Sequence, residues 1–255
     1  MGIWALGKNR ESVSALFPAY NDAPTIAGLV EKTFRFLSNS GRDFEIIVVD
    51  DGSKDSTPQV LQELQTRYGS VFRVIRHAVN RGYGAALRSG FAAAQKDLVF
   101  YTDGDSQYDP SELRLLLYRV GPSIGLVNGY KIQRHDPLYR IVIGKIYNAV
   151  VRRLFHISIR DVDCDFRLIR RSLLARTRLE SHSGVICPEL LVELQSLGCR
   201  MVEVPVHHYP RVAGRSQFFR WRSLLYILAQ LVCLYFRKPA KMRSVTGELP
   251  EPNPK

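Results

Sequence analysis

Two carboxylates stand one residue apart in the segment YTDGDSQYDP at residues 101–110, directly behind an apolar run. Asp103 and Asp105 could together bind a hard divalent cation through oxygen, with Gln107 as a further oxygen ligand. A cation held in this way would neutralise a diphosphate group and allow it to depart. An isolated pair of this kind is more often a solvated acidic turn, so its meaning depends on the motifs that accompany it.

Polar residues also follow two earlier apolar runs, in FPAYND at 17–22 and in VVDDGSKDST at 48–57. The first motif contributes a tyrosine and an aspartate, and the second contributes paired aspartates. Taken alone, Asp51 is equally well explained as a turn-forming residue before Gly52. Three apolar runs that each end in acid are less easily explained as unrelated turns.

The segment NRGYGAALRSGF at 80–91 contains glycines that could cradle a phosphate. It matches neither the dinucleotide-binding GxGxxG pattern nor the GxxxxGK phosphate loop. We therefore expect Gly82 and Gly84 to permit close packing where a helix begins.

The second half of the chain is basic, and it contains one further acidic turn. Beyond Gly129 the cations are Lys131, Arg134, Arg140, Lys145, Arg152 and Arg153, and for the last two a solvated helix face is the favoured interpretation. The turn is DVDCDFRLIRR at 161–171, where Asp163 and Asp165 could hold sugar hydroxyls or position an arginine. An acidic surface loop paired with Arg167 and Arg170 is an equally good interpretation.

An alternation of short β-branched runs with helical stretches must position these side chains. It predicts an α/β fold with a mostly parallel sheet flanked by helices, in which ligands bind beyond the carboxyl ends of the strands. The expected strands are SALFPAY, EIIVVDD, FRVIRH, DLVFYTD and IGLVNGY, and the expected helices cover residues 25–38, 58–68, 83–95 and 111–119.

Composition limits the class of protein. The 255 residues include 36 Lys and Arg against 24 Asp and Glu, a net charge of +12, and 45% are hydrophobic. This size suits one large α/β domain. The four cysteines lack metal-ligand spacing, which favours a reducing cytosolic setting, and no signal peptide is expected. The high charge would also suit a nucleic-acid-binding protein, but no nucleic-acid-binding motif accompanies it.

The ordered set FPAYND, VVDDGSKDST, NRGYGAALRSGF and TDGDSQ resembles the inverting family 2 glycosyltransferases. The nearest branch is that of dolichyl-phosphate mannose synthase and the bacterial polyprenyl-phosphate glycosyltransferases. The resemblance covers roughly residues 12–220 and implies a nucleotide-sugar-binding α/β fold with Mg²⁺ or Mn²⁺ as cofactor. It implies donor contacts at Pro18, Tyr20, Asp22, Val49, Asp51, Thr102, Asp103, Gly104, Asp105 and Gln107, with Asp103, Asp105 and Gln107 on the metal.

The resemblance also implies that Lys131 and Arg140 contact phosphate groups of the acceptor or the donor, with Lys131 counted among the donor contacts. It implies that Arg211, in EVPVHHYPRVAGRS at 203–216, reaches the donor diphosphate. Asp163 and Asp165 would lie where the donor sugar and the acceptor meet. The chain departs from the family pattern, because Lys131 stands where Arg is usual, Gly144 where Ser is usual and Gln217 where Lys is frequent. The adjacent histidines 207 and 208 should point to opposite faces of a strand, so we expect them to be ordinary strand residues.

Three regions are predicted: a catalytic domain at 1–220, a membrane-interface helix at 221–237 and a disordered tail at 238–255. The apolar centre of the helix, residues 224–236, is 13 residues long, below the roughly 17 to 25 that span a bilayer. We expect the helix to lie in the interface, with Trp221 and Tyr235 at headgroup level. A core or dimer helix is the alternative.

The expected activity is transfer of a hexose from a GDP- or UDP-sugar to a polyprenyl phosphate, dolichyl or undecaprenyl, by a peripheral enzyme on the cytoplasmic face of a membrane. An integral-membrane partner or a homo-oligomer would be compatible with it, and no nucleic acid is expected as partner. The alternatives are another lipid or polysaccharide acceptor, a nucleic-acid-binding protein and a catalytically silent nucleotide-sugar sensor. Residues 217–221 read QFFRW and match the QxxRW pattern of processive synthases, but such a synthase is disfavoured because no flanking transmembrane spans are expected.

Overall fold

The computed structural model describes residues 11–132, 138–210 and 221–237. Its strands are β1 (Val13–Ala19), β2 (Phe44–Asp50), β3 (Phe72–Arg76), β4 (Leu98–Thr102), β5 (Leu126–Lys131), β6 (Phe166–Arg170) and β7 (Met201–Val206). Its helices are α1 (Ala23–Ser40), α2 (Thr57–Tyr68), α3 (Tyr83–Ala93), α4 (Leu113–Arg119), α5 (Leu138–Phe155), α6 (Arg171–Leu174), α7 (Ile186–Ser196) and α8 (Trp221–Arg237). The predicted strands and helices of the first half are confirmed to within a few residues.

The strands form one sheet in the order β3-β2-β1-β4-β6-β5-β7. Of these seven described strands, only β6 runs antiparallel to its neighbours, β4 and β5. The carboxyl ends of the parallel strands therefore meet at one edge, and the loop that leads into β6 ends at that same edge. This topology brings the acidic turn at 161–165 beside the acidic end of β4, with Thr102 opposite Phe166 in the register.

Helices cover both faces of the sheet, because successive strand residues point to opposite sides. Leu16 belongs to the apolar layer that includes side chains of α3, α5, α7 and α8. Phe17, the next residue, belongs to the layer that includes side chains of α1, α2 and α4. Two buried layers are what a doubly covered parallel sheet requires.

Helix α8 covers the residues predicted for it, and one of its faces belongs to the core. Ile227, Leu231 and Leu234 are buried in the same layer as α5 and α7. The core interpretation therefore holds for this face. The ring of Tyr235, which is expected at headgroup level, packs against Phe155 with centroids 6.3 Å apart, and its placement relative to a membrane stays a prediction. Among the described residues, no helix combines the length and the apolar character needed to cross a bilayer.

Candidate functional site

The acidic pair follows β4 at the carboxyl edge of the sheet. Asp103 accepts a hydrogen bond from the hydroxyl of Tyr83 at 2.7 Å. Asp105 is buried, and its Oδ1 accepts from the backbone N–H of Gln107 at 3.1 Å. Helix α3 therefore supplies a donor to the pair, and the turn after β4 is closed by one of its own carboxylates.

The loops after β1 and β4 are in direct contact. Thr25 donates its hydroxyl to the carbonyl oxygen of Gly104 at 2.9 Å. A Cβ on Gly104 would come within 2.8 Å of the carbonyl oxygen of Pro18 and 3.2 Å of the Asp22 carboxylate. Only glycine fits this approach without a shift of the neighbouring backbone. The Asp22 carboxylate also accepts from the N–H of Tyr20 at 2.9 Å, so the three expected donor contacts of β1 form one turn.

Asp51 holds the loop between β3 and α3. It is buried, and its two oxygens accept from the backbone N–H groups of Arg81 at 2.9 Å and Gly82 at 2.8 Å. His77 Nδ1 lies 2.6 Å from Asp51, and its Nε2 lies 2.9 Å from the hydroxyl of Ser89. The histidine therefore orients a carboxylate expected on the donor side, a role that the sequence analysis missed. Its only sequence signal is a polar residue directly after a strand.

The glycines that begin α3 are structural, as expected. Gly82 has φ of +94°, and a Cβ there would lie 2.4 Å from the carbonyl oxygen of His182. A Cβ on Gly84 would lie 2.2 Å from the carbonyl oxygen of Ser181. Both positions allow the start of α3 to touch the loop before α7.

Two expected ligand contacts need correction, because Val49 and Thr102 have no exposed surface. Val49 belongs to the apolar layer with α3, and Thr102 is the last residue of β4. Their side chains lie beneath the site and support it from the core. Both residues were predicted as contacts because they lie at the ends of strands, but the pleat of the sheet directs their side chains into the buried interior.

The acidic turn before β6 encloses Lys131. The Lys131 ammonium donates to the carbonyl oxygen of Asp163 at 2.6 Å and lies 3.9 Å and 3.7 Å from the carboxylates of Asp161 and Asp163. The Lys131 side chain is only 5% exposed. The lysine thus fastens the turn to the end of β5. Asp165 accepts a hydrogen bond from the Cys187 thiol at 2.9 Å, and burial raises the pKa of that thiol well above its ordinary value, so it stays protonated.

Arg167 is fully buried beneath this turn, which corrects the interpretation that pairs it with acid on the surface. It donates to the Asn128 side-chain oxygen at 2.6 Å, to the Tyr101 hydroxyl at 2.7 Å and to the carbonyl oxygen of Val162 at 2.7 Å. Arg170 likewise bonds elsewhere, to backbone carbonyls near Ile124 and to Glu11. The guanidinium of Arg167 therefore joins β4, β5 and the acidic turn.

Two buried tyrosines lie close to the acidic groups of the two loops. Burial raises the pKa of Tyr83 well above its ordinary value, and the charges of Asp103 and Asp165 raise it further. Burial also raises the pKa of Tyr147 on α5, with further contributions from Asp163 and Asp165. The structure thus brings together the carboxylates of β4 and those of the turn before β6, as the sequence analysis expects.

The described residues include no group of three His, Cys, Asp or Glu side chains placed to hold a metal ion. Asp103 and Asp105 nonetheless fit a hard cation that also binds a substrate, because Mg²⁺ is usually held by one or two carboxylates plus phosphate oxygens rather than by an all-protein cage. Gln107 has a second role. The side-chain amide N–H of Gln107 donates to the backbone carbonyl oxygen of Tyr209 at 3.1 Å, and the backbone carbonyl oxygen of Gln107 accepts from the Tyr209 N–H at 2.8 Å.

The segment after β7 packs against the acidic turn of β4. His207 bonds to Glu112, and the ring of His208 packs edge-on against Tyr108. Both histidines lie just beyond β7, so their expected position on the strand itself needs correction. Arg211 lies outside the described residues. The backbone of Arg140 is in the first turn of α5, but its side chain also lies outside them.

Comparison with known proteins identifies the family of the chain. The sequence model of glycosyl transferase family 2 matches residues 14–178. An undecaprenyl-phosphate 4-deoxy-4-formamido-L-arabinose transferase from Edwardsiella ictaluri is 29% identical over 244 residues, covering 95% of this chain and 73% of the relative. The protein of the same description from Pseudomonas aeruginosa is 30% identical over 237 residues, covering 92% of this chain and 68% of the relative.

Two solved structures share the fold. Glucosyl-3-phosphoglycerate synthase from Mycobacterium tuberculosis, solved with Mn²⁺, UDP and glucosyl-3-phosphoglycerate, superposes with a TM-score of 0.69 at 20% identity, covering 90% of this chain and 82% of that one. Mannosyl-3-phosphoglycerate synthase from Rubrobacter xylanophilus also has a TM-score of 0.69, at 18% identity, with 94% and 77% of the two chains covered. The strand-end crevice, the family match and the shared fold together identify the chain as a glycosyltransferase of family 2.

Proposed function

We propose that this glycosyltransferase moves a sugar from a nucleotide diphosphate sugar to a polyprenyl phosphate, with inversion and with Mg²⁺ or Mn²⁺, as a peripheral enzyme on the cytoplasmic face of a membrane. The carrying observation is the crevice itself. It combines the carboxylate pair in the turn after β4 with an acidic turn before β6 whose carboxylates are already engaged. The relatives from Edwardsiella and Pseudomonas, whose names specify undecaprenyl phosphate, support the acceptor class.

The donor half of the crevice is formed by the loops after β1, β2 and β4. Asp103 and Asp105 would hold the divalent cation, which supplies positive charge for the departing nucleotide diphosphate. Asp51, fixed by His77 and by two backbone N–H groups, presents a rigid surface to the nucleoside. The Mycobacterium structure, which was solved with Mn²⁺ and UDP, supports this division.

The acceptor half lies beside β5 and β6, where the side chains available for general-base catalysis are already engaged. Asp163 lies beside the Lys131 ammonium, and Asp165 accepts from the Cys187 thiol. An alcohol acceptor would need a base to remove its proton. A phosphate monoester has its second ionisation near pH 6, so it arrives as an anion and needs positive charge and orientation instead. Arg140, at the start of α5, is the cation we assign to it.

This division of the crevice suits an inverting single displacement. Such a displacement requires the acceptor oxygen and the leaving group on opposite sides of the anomeric carbon. The carboxylate pair follows β4 and the Lys131 turn precedes β6, so the two groups come from adjacent strands of the sheet. The donor diphosphate and the acceptor phosphate can then approach the sugar from different sides.

The motif resemblance and the named relatives indicate different classes of donor sugar. The resemblance of the motifs implies a hexose, whereas the relatives are named for an arabinose derivative, a pentose. We propose a hexose on the basis of the branch resemblance, and the donor screen must include both classes.

The test is a thermal-shift screen of GDP- and UDP-linked hexoses and pentoses, with and without Mn²⁺. A ligand at a hundred times its Kd stabilises the native state by about 2.7 kcal/mol, so a bound donor should raise the unfolding midpoint measurably. We expect one nucleotide class to shift the midpoint only when Mn²⁺ is present. Equal shifts with and without the metal would contradict the assigned role of Asp103 and Asp105.

A further inference from the structure

Helix α5 exposes an apolar stripe that the catalytic site does not use. Its members are Tyr139, Val142, Ile146, Val150 and Leu154, which are between 41% and 59% exposed. Their spacing of three or four residues places them along one face of the helix. Val151 and Phe155 are buried on the opposite face. The core therefore does not account for the exposed stripe.

The outer face of α8 has the same character. Tyr226, Leu228, Val232 and Phe236 are between 47% and 66% exposed. Five of the thirteen exposed large hydrophobic residues in the described part of the chain lie on α5 and four lie on α8. Such a concentration marks an interaction surface rather than scattered surface residues.

The two helices are neighbours. Their inner faces belong to the same apolar layer on one side of the sheet, and the rings of Phe155 on α5 and Tyr235 on α8 are in contact. The exposed stripes of α5 and α8 consequently lie on the same side of the protein. We refer to them together as the α5/α8 surface.

The charges on α5 decide what this surface can bind. The helix contains four cations, Arg140, Lys145, Arg152 and Arg153, and no acidic residue. The last three have exposed side chains. A symmetric dimer through this surface would place each copy against itself and bring like charges together. Anionic lipid headgroups would pair with the cations, and the acyl region would accept the apolar side chains.

We infer that α5 and α8 form a single docking surface for an anionic lipid bilayer, with the α5 stripe inserted beside α8. This inference rests on the proposed function for its link to catalysis, since α5 begins with the turn that carries Arg140, the residue assigned to the acceptor phosphate. The same helix that inserts into the bilayer thus also contains the residue assigned to the acceptor phosphate.

The docking test uses the full chain and phosphatidylglycerol/phosphatidylcholine vesicles without any polyprenyl phosphate, so it does not depend on the acceptor. The variant Ile146→Glu/Val150→Glu adds two charges to the α5 stripe. The matched control, Gln65→Glu/Tyr118→Glu, adds the same charge at exposed positions on α2 and α4. Circular dichroism and the donor-induced thermal shift verify that each variant is folded.

We expect the α5 variant to lose vesicle binding by about tenfold or more, and the control to lose less than about twofold. An equal loss of vesicle binding in both variants would show that only net charge matters and would overturn the inference. Unchanged vesicle binding in both variants would also overturn it. A wild-type dimer that the α5 variant dissociates, with vesicle binding unchanged, would identify a protein interface instead.

A labelling experiment separates α5 from α8. Cys233 is exposed on α8, and Ala149 is exposed on α5. Cys199→Ser, in which Cys233 is the one exposed thiol of the described residues, reports on α8, and Ala149→Cys in a Cys199→Ser/Cys233→Ser background reports on α5. Vesicles should slow the reaction of both thiols with a charged maleimide. Protection of Cys233 alone would show that α8 docks without α5 and would overturn the inference.

Discussion

Replacing Arg167 with lysine tests whether a buried guanidinium holds the acidic turn in place. The arginine uses separate nitrogens for Asn128, Tyr101 and Val162, at 2.6 to 2.7 Å. Lysine keeps the charge but concentrates its donors on one atom, so it cannot reach three oxygens at the corners of a fork. We expect two of these hydrogen bonds to be lost and two buried oxygens to be left without a donor.

The magnitude follows from the charged character of the donor. Hydrogen bonds to charged groups each contribute about 1.5 to 3 kcal/mol, so the loss of two bonds in Arg167→Lys should lower the free energy of unfolding by about 3 to 6 kcal/mol. For a chain of this size, that loss corresponds to a fall of roughly 6 to 24 °C in the unfolding midpoint. Because Arg167 contacts Val162 and none of the donor loops, kcat should fall more than donor affinity does.

The assay is thermal and urea unfolding combined with steady-state kinetics. Arg171→Lys is the matched control, because Arg171 is exposed and its Nε donates to a single carbonyl oxygen, that of Lys96, at 3.0 Å. The control should change the free energy of unfolding by less than about 0.5 kcal/mol. If Arg167→Lys also changes the free energy of unfolding by less than about 0.5 kcal/mol, the reasoning is refuted.

Three further results are expected. Asp105→Asn should remain folded but lose Mn²⁺-dependent donor binding in calorimetry, since a neutral amide cannot offset the cation's charge, and near-normal turnover with Mn²⁺ would contradict this. Arg140→Ala should raise the KM for the acceptor more than that for the donor, and the reverse order would remove Arg140 from the acceptor side. Burial raises the pKa of the Cys164 thiol to about 12, so alkylation at about pH 8 should label exposed Cys233 first and Cys164 only after unfolding; early labelling of Cys164, detected by mass spectrometry, would contradict its burial.

The first half of the fold was predictable from sequence because each element there carries its own signal. Strands β1, β2 and β4 are short apolar runs that end in polar turns, and α2 begins at Thr57 with Pro58 in its first turn, as the DSTP motif indicates. The antiparallel insertion of β6 between β4 and β5 has no local signal. It depends on pairing between residues more than 60 positions apart along the chain, such as Leu98 and Arg170.

The site was predictable to the level of strand ends and not to the level of individual contacts. The strand ends locate Asp103 and Asp105 correctly beside the crevice, but they also suggested ligand contacts for Val49, which the pleat turns into the core. His77 and Arg167 act through hydrogen bonds to distant segments. Such bonds depend on which loops the fold brings together, and a single sequence does not record that.

The central claim is that the acceptor is a lipid phosphate, and the most direct measurement compares two acceptors that differ only in that group. Purified enzyme, the donor identified by the thermal-shift screen and Mn²⁺ would be supplied with either a polyprenyl phosphate or the matching polyprenol, and the glycolipid product measured by mass spectrometry. We predict transfer to the phosphate and none to the alcohol, because the described crevice presents no available base while a phosphate is already ionised. Equal transfer to the alcohol would contradict the account and point to Asp163 or Asp165 as a general base.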